Sequence, residues 1–159
     1  MDGQRALKML VFQQSRIVEI LASANPLLKV ESAENKTTLA GLRWRLLRLL
    51  REYQLFKHHE IFDPVAASGS HSQTATAKAM KERCVTVGAR YVAHVERWND
   101  GAAAASWDAY APEALEMIDQ ITLHLKREHS EAAVLLGTIG RTRSATAKPP
   151  TRQTLRDQA

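Results

Sequence analysis

Apolar residues recur at three- and four-residue spacing through most of this chain, and they group into four stretches. In the first, from about Gln4 to Ala22, Leu7, Leu10, Val11, Ile17, Val18 and Leu21 share one helical face, with Gln14 on the same stripe. The run Ser23-Ala24-Asn25-Pro26 should end it. The second begins at Thr37 or Thr38, either of which suits an N-cap, and carries Leu39, Leu42, Leu46, Leu49, Tyr53 and Phe56. Pro64 should stop it, because proline lacks the donor and its ring clashes with the preceding turn.

A Ser/Gly-rich loop, 67–72, leads to a third stretch from about Gln73 to Trp98, with Ala77, Met80, Cys84, Val87, Tyr91, Val95 and Trp98 on one face. Asn99-Asp100-Gly101 closes it, and Ala102–Ala105 can form an extra turn. Pro112 reads as a first-turn proline of a fourth helix, which runs through Leu115, Ile118, Ile121, Leu125 and Leu135 to Gly137. Strand-like alternation of useful length is missing. The pattern therefore predicts an all-α, up-down four-helix bundle over residues 1–136.

Composition supports one domain: 159 residues, 45% hydrophobic and 25% charged. The formal charge of +5 is concentrated, since residues 137–159 hold five basic side chains against Asp157 alone, or +4 of the total. That segment reads as a disordered basic tail. It has no aromatic for base stacking, so nucleic acid is not the expected partner. Cys84 is the only cysteine, which excludes an internal disulfide framework. The N-terminus lacks the apolar run of a signal peptide, and no stretch is long and uncharged enough to span a bilayer. These features predict a soluble, cytoplasmic protein.

The candidate chemistry lies in ionisable groups on stripes that should face the core. Glu60 follows Phe56 on the second stripe, with His59 beside it, and His59 and Asp63 form an i,i+4 pair. His124 and Glu128 form the same pair on the fourth helix, and His94 lies at the inner edge of the third. Imidazole and carboxylate from facing helices are the donor types of a non-haem iron or manganese site. Such groups are costly to bury unless paired or coordinating. Cys84 reads as a buried, inert thiol, and Gln14 as a hydrogen-bonding group inside the bundle. A glycine-rich phosphate loop, a nucleophile elbow and triad spacing are all missing, so the sequence carries no positive signal for an enzyme.

The stretch Phe56-Lys57-His58-His59-Glu60-Ile61-Phe62-Asp63-Pro64 resembles the second-helix ending of the hemerythrin-like, or HHE cation-binding, family. His124-Leu125-Lys126-Arg127-Glu128-His129 resembles its fourth-helix segment. The resemblance covers about residues 5–136. It implies an up-down bundle holding di-iron or mononuclear iron, bound to a diatomic gas or serving oxygen, nitric oxide, redox or iron sensing or storage. His59, Glu60, Asp63, His94, His124 and Glu128 are the ligands it suggests. Where the family has further histidines this chain has Gln13 or Gln14, and Met80 and Cys84, which implies an altered metal site. The alternative is a metal-free bundle serving as a regulatory, dimerisation or protein-interaction module through Trp44, Leu47 and Leu50 of helix two.

Overall fold

A computed structural model describes residues 2–146, with side chains as far as Gly137. Its elements in chain order are α1 (Gly3–Leu27), α2 (Ala33–Lys57), a π-helical turn (His58–Phe62), α3 (Asp63–Ser68), α4 (His71–Trp98), α5 (Ala102–Ala105) and α6 (Trp107–Thr146). The four long helices, α1, α2, α4 and α6, form an up-down bundle. α1 and α4 each pack against both α2 and α6, so α1 faces α4 and α2 faces α6 across the core.

Capping explains where the helices start. Asp2 accepts a bond from Arg5 N–H to open α1, and Ser32, rather than Thr37 or Thr38, caps α2 through Asn35 N–H at 3.0 Å. Ser70 and Gln73 make a reciprocal capping box at α4. Between α4 and α5 the chain passes through the left-handed region at Asp100 (φ 52°) and Gly101 (φ 83°), which reverses its direction.

The prolines behave differently from expectation. α1 continues through Pro26 to Leu27, and α6 begins at Trp107, so Pro112 falls in its second turn rather than its first. Pro64 does not stop the second helical segment. Instead α2 widens into the π turn, where Asp63 N–H donates to the His58 carbonyl five residues back, and Pro64 then enters the first turn of α3. The helical backbone of α6 also runs past Gly137 to Thr146. The remainder of the expected tail, 147–159, lies outside the described residues.

One core cluster, built from Leu10, Ile17, Leu46, Tyr53, Met80, Cys84, Ile121 and Leu125 among others, fills most of the bundle. A second cluster closes the far end with Leu28, Leu39, Trp98, Trp107, Tyr110 and Ala114. Among the described residues, no helix is long and apolar enough to cross a membrane.

Candidate metal centre

Helix two places two basic residues on its buried stripe. Arg43 and Lys57 fall in line with Leu39, Leu46 and Tyr53, and both are buried. Lys57 is 1% exposed. Its ammonium reaches across to α6 and donates to both oxygens of Glu128, at 2.7 and 2.8 Å. It also lies 3.0 Å from Cys84 Sγ and 3.9 Å from the centre of the Tyr53 ring. A buried ion pair of this kind persists only when further hydrogen bonds complete it.

Those bonds come from all four long helices. The Tyr53 hydroxyl donates to Glu128 Oε1 and accepts from Gln14 Nε2, which donates also to the Leu125 carbonyl at 3.0 Å. His124 Nε2 stands 3.5 Å from Glu128 Oε2. Cys84, His124 and Glu128 thus bring one ligand atom each to within 4.8 Å of one another, a buried cluster able to coordinate a metal ion.

The electrostatics follow from burial. Desolvation pushes the Tyr53 hydroxyl far up, and the Glu128 charge adds to this, so the phenol stays a donor. Burial also raises the Cys84 thiol; the Lys57 ammonium pulls it back and Glu128 opposes that pull. His124 is held below the usual histidine range by burial, with Glu128 working the other way, so its imidazole is neutral at pH 7 and keeps a lone pair for a ligand bond. A groove of about 480 Å³ between α4 and α6 runs beside His124 and gives the centre an approach from solvent.

The structure separates the ligands that the sequence suggested. His124 and Glu128 stand together in this centre. His59 is exposed on the π turn, Glu60 is half-buried beside it, and Asp63 is exposed and paired with Lys81 at 3.2 Å. The π turn is the physical cause. It inserts one residue, which rotates everything after it by about 100° around the helix axis. Ile61, Phe62 and Val65 therefore take the core-facing positions that a continuous α-helix would have given to Glu60 and its neighbours.

His94 is buried at the opposite end of the bundle, its ring between those of Tyr91 and Tyr110 at centroid distances of 5.8 and 5.9 Å. Its Nδ1 lies 3.8 Å from Glu113, whose same oxygen accepts from Trp98 Nε1.

Sequence reasoning missed Lys57 and the role of Cys84. A lysine and an arginine on the apolar stripe of one helix, with an acid on the stripe of another, were the available signal. Gln14 does make the internal hydrogen bond its stripe position suggested. Comparison with protein-family models, curated proteins and solved structures finds no match to this chain. The fold and the site thus stand on the chain's own residues: an all-α, up-down four-helix bundle with a buried Cys84–His124–Glu128 cluster that could hold a metal ion.

Proposed function

We propose that this bundle binds one divalent transition-metal ion through Cys84, His124 and Glu128 and acts as a metal-responsive module, with Lys57 giving up its ligands when the ion enters. The convergence of the three donor atoms within 4.8 Å in the core carries this reading. One thiolate, one imidazole and one carboxylate suit zinc or ferrous iron. Resemblance to the hemerythrin-like family supports iron, and with it an oxygen-, nitric oxide- or redox-linked role; the thiolate supports zinc equally. A single carboxylate favours one ion over a di-iron pair. Bound there, the ion supplies a Lewis-acidic or redox-active centre.

Lys57 sets the terms of binding. Its ammonium occupies hydrogen-bonding distance to two of the three donors, so entry requires the side chain to swing away and the Lys57–Glu128 pair to break. Breaking such a pair costs about 3–5 kcal/mol, which lowers the apparent affinity by two to three powers of ten or so. Lys57 is also the last residue before the π turn, so its release disturbs the junction between α2 and α3. That coupling favours sensing over storage.

The same lysine favours a second reading, a metal-free regulatory or interaction bundle in which the ammonium serves permanently as the core cation. In that case the helix-two surface is narrower than the sequence implied. Trp44 is 53% exposed, but Leu47 is buried and Leu50 half-buried.

Cobalt(II) titration separates the two. The metal reading predicts a near-ultraviolet thiolate-to-cobalt band that zinc displaces and Cys84→Ser abolishes. Absence of the band and of any retained ion, in the native chain and in Lys57→Met alike, establishes the metal-free reading instead.

A further inference from the structure

The far half of the bundle contains a cavity of about 40 Å³ between all four long helices, room for roughly three water-sized groups. Its walls are mostly apolar, with Leu21, Leu46, Met117 and Ile121 among them, and two polar groups stand in that wall: Arg43 and His94. Arg43 is 7% exposed. Among the described residues no carboxylate pairs with it. One guanidinium nitrogen donates to the Trp98 carbonyl at 3.1 Å, the plane lies 4.9 Å from the Tyr110 ring centre, and Nε is buried without a hydrogen-bond partner. His94 Nδ1 is likewise buried and unbonded.

An arginine inside a core without a counter-ion is unfavourable, because its charge is desolvated and nothing of opposite sign offsets the loss. Lys57 shows how this chain solves that problem elsewhere: it places a carboxylate opposite. For Arg43 the space opposite is the cavity. A group that completes it must bring an anion for the guanidinium and must tolerate hydrocarbon on its other sides. Arginine recognises planar carboxylates particularly well. The volume admits only a few heavy atoms. Ala24, Leu42 and Ile118 on the wall are half-buried, so the cavity lies close to solvent.

We propose that this cavity is a binding site for a small organic anion, a monocarboxylate of acetate size. Its carboxylate pairs with Arg43 and its methyl group rests on the aliphatic wall. The site lies about 21 Å along α2 from Lys57, fourteen residues at 1.5 Å each, so it is separate from the metal centre and does not depend on it.

Acetate is the probe. Calorimetric and thermal-melting titrations of the full chain at constant ionic strength should show saturable binding and a rising midpoint with acetate. Neither should occur with acetamide, its neutral isostere, nor with chloride. Arg43→Met should weaken acetate by at least about tenfold. Because that variant removes a core residue, Ala114→Leu supplies an independent check: it keeps Arg43, fills the cavity and should also abolish binding. Failure of acetate to bind, binding of acetamide or chloride as strongly as acetate, or unchanged acetate affinity in Ala114→Leu would each overturn the proposal.

Discussion

Replacing Lys57 with methionine keeps most of the side-chain volume and removes only the ammonium. In the native chain that ammonium sits 2.7 and 2.8 Å from the two Glu128 oxygens, with the two side chains 1% and 2% exposed. The variant leaves a buried carboxylate with the Tyr53 hydroxyl as its remaining strong donor. Orphaning one member of a buried pair costs about 3–5 kcal/mol. Replacing both, as Lys57→Met/Glu128→Met, removes the uncompensated charge, and apolar substitution of a whole pair is often neutral or better. What remains is the acceptor lost by Tyr53, worth about 1 kcal/mol.

The double variant should therefore be more stable than Lys57→Met alone, with a coupling energy of about 3 kcal/mol or more between the two sites. Urea unfolding, read at unchanged m-value, measures all three variants. If Lys57→Met costs less than about 1 kcal/mol, or if the two single effects simply add, the pair is not the buried ionic centre described above.

Two further outcomes follow from burial. His94 is held down to about 4, chiefly by burial; Glu113 opposes this, while Arg43 and Arg97 reinforce it. The unfolded chain then takes up a proton that the folded one refuses, so stability is full above the ordinary value of 6.5 and falls as pH drops toward about 4. His94→Gln should flatten that fall, and an NMR midpoint for His94 at or above the ordinary value would contradict the argument. Cys84 is buried and its thiol is raised, so iodoacetamide should label the folded chain slower than the urea-unfolded chain by on the order of a hundredfold or more. Comparable rates would show that the centre is open to solvent.

The helices were legible because their stripes are long and regular. Ile17, Tyr53, Met80 and Ile121 are all buried where a 3.6-residue period puts them. The i,i+4 spacing likewise identified His124 and Glu128. The π turn was not legible, since no residue in His58–Phe62 announces an extra residue in the turn; its effect, the rotation of His59 and Glu60 away from the core, appears only once hydrogen bonding is known. Lys57 and Cys84 were hidden for a different reason. A lysine near a helix end usually sends its charge to water, and a cysteine among apolar neighbours reads as packing. What makes them functional is Glu128, seventy-one positions from Lys57 in sequence. Only the bundle's diagonal geometry joins them.

The account turns on Lys57 and a metal ion drawing on the same ligands. Titration of zinc into the native chain and into Lys57→Met, each against a competing chelator, tests this most directly. The account predicts one ion per chain, bound on the order of a hundredfold or more tighter once the ammonium is gone, with binding lost in Glu128→Gln. Equal affinities in the native chain and Lys57→Met, or no binding to either, would contradict it.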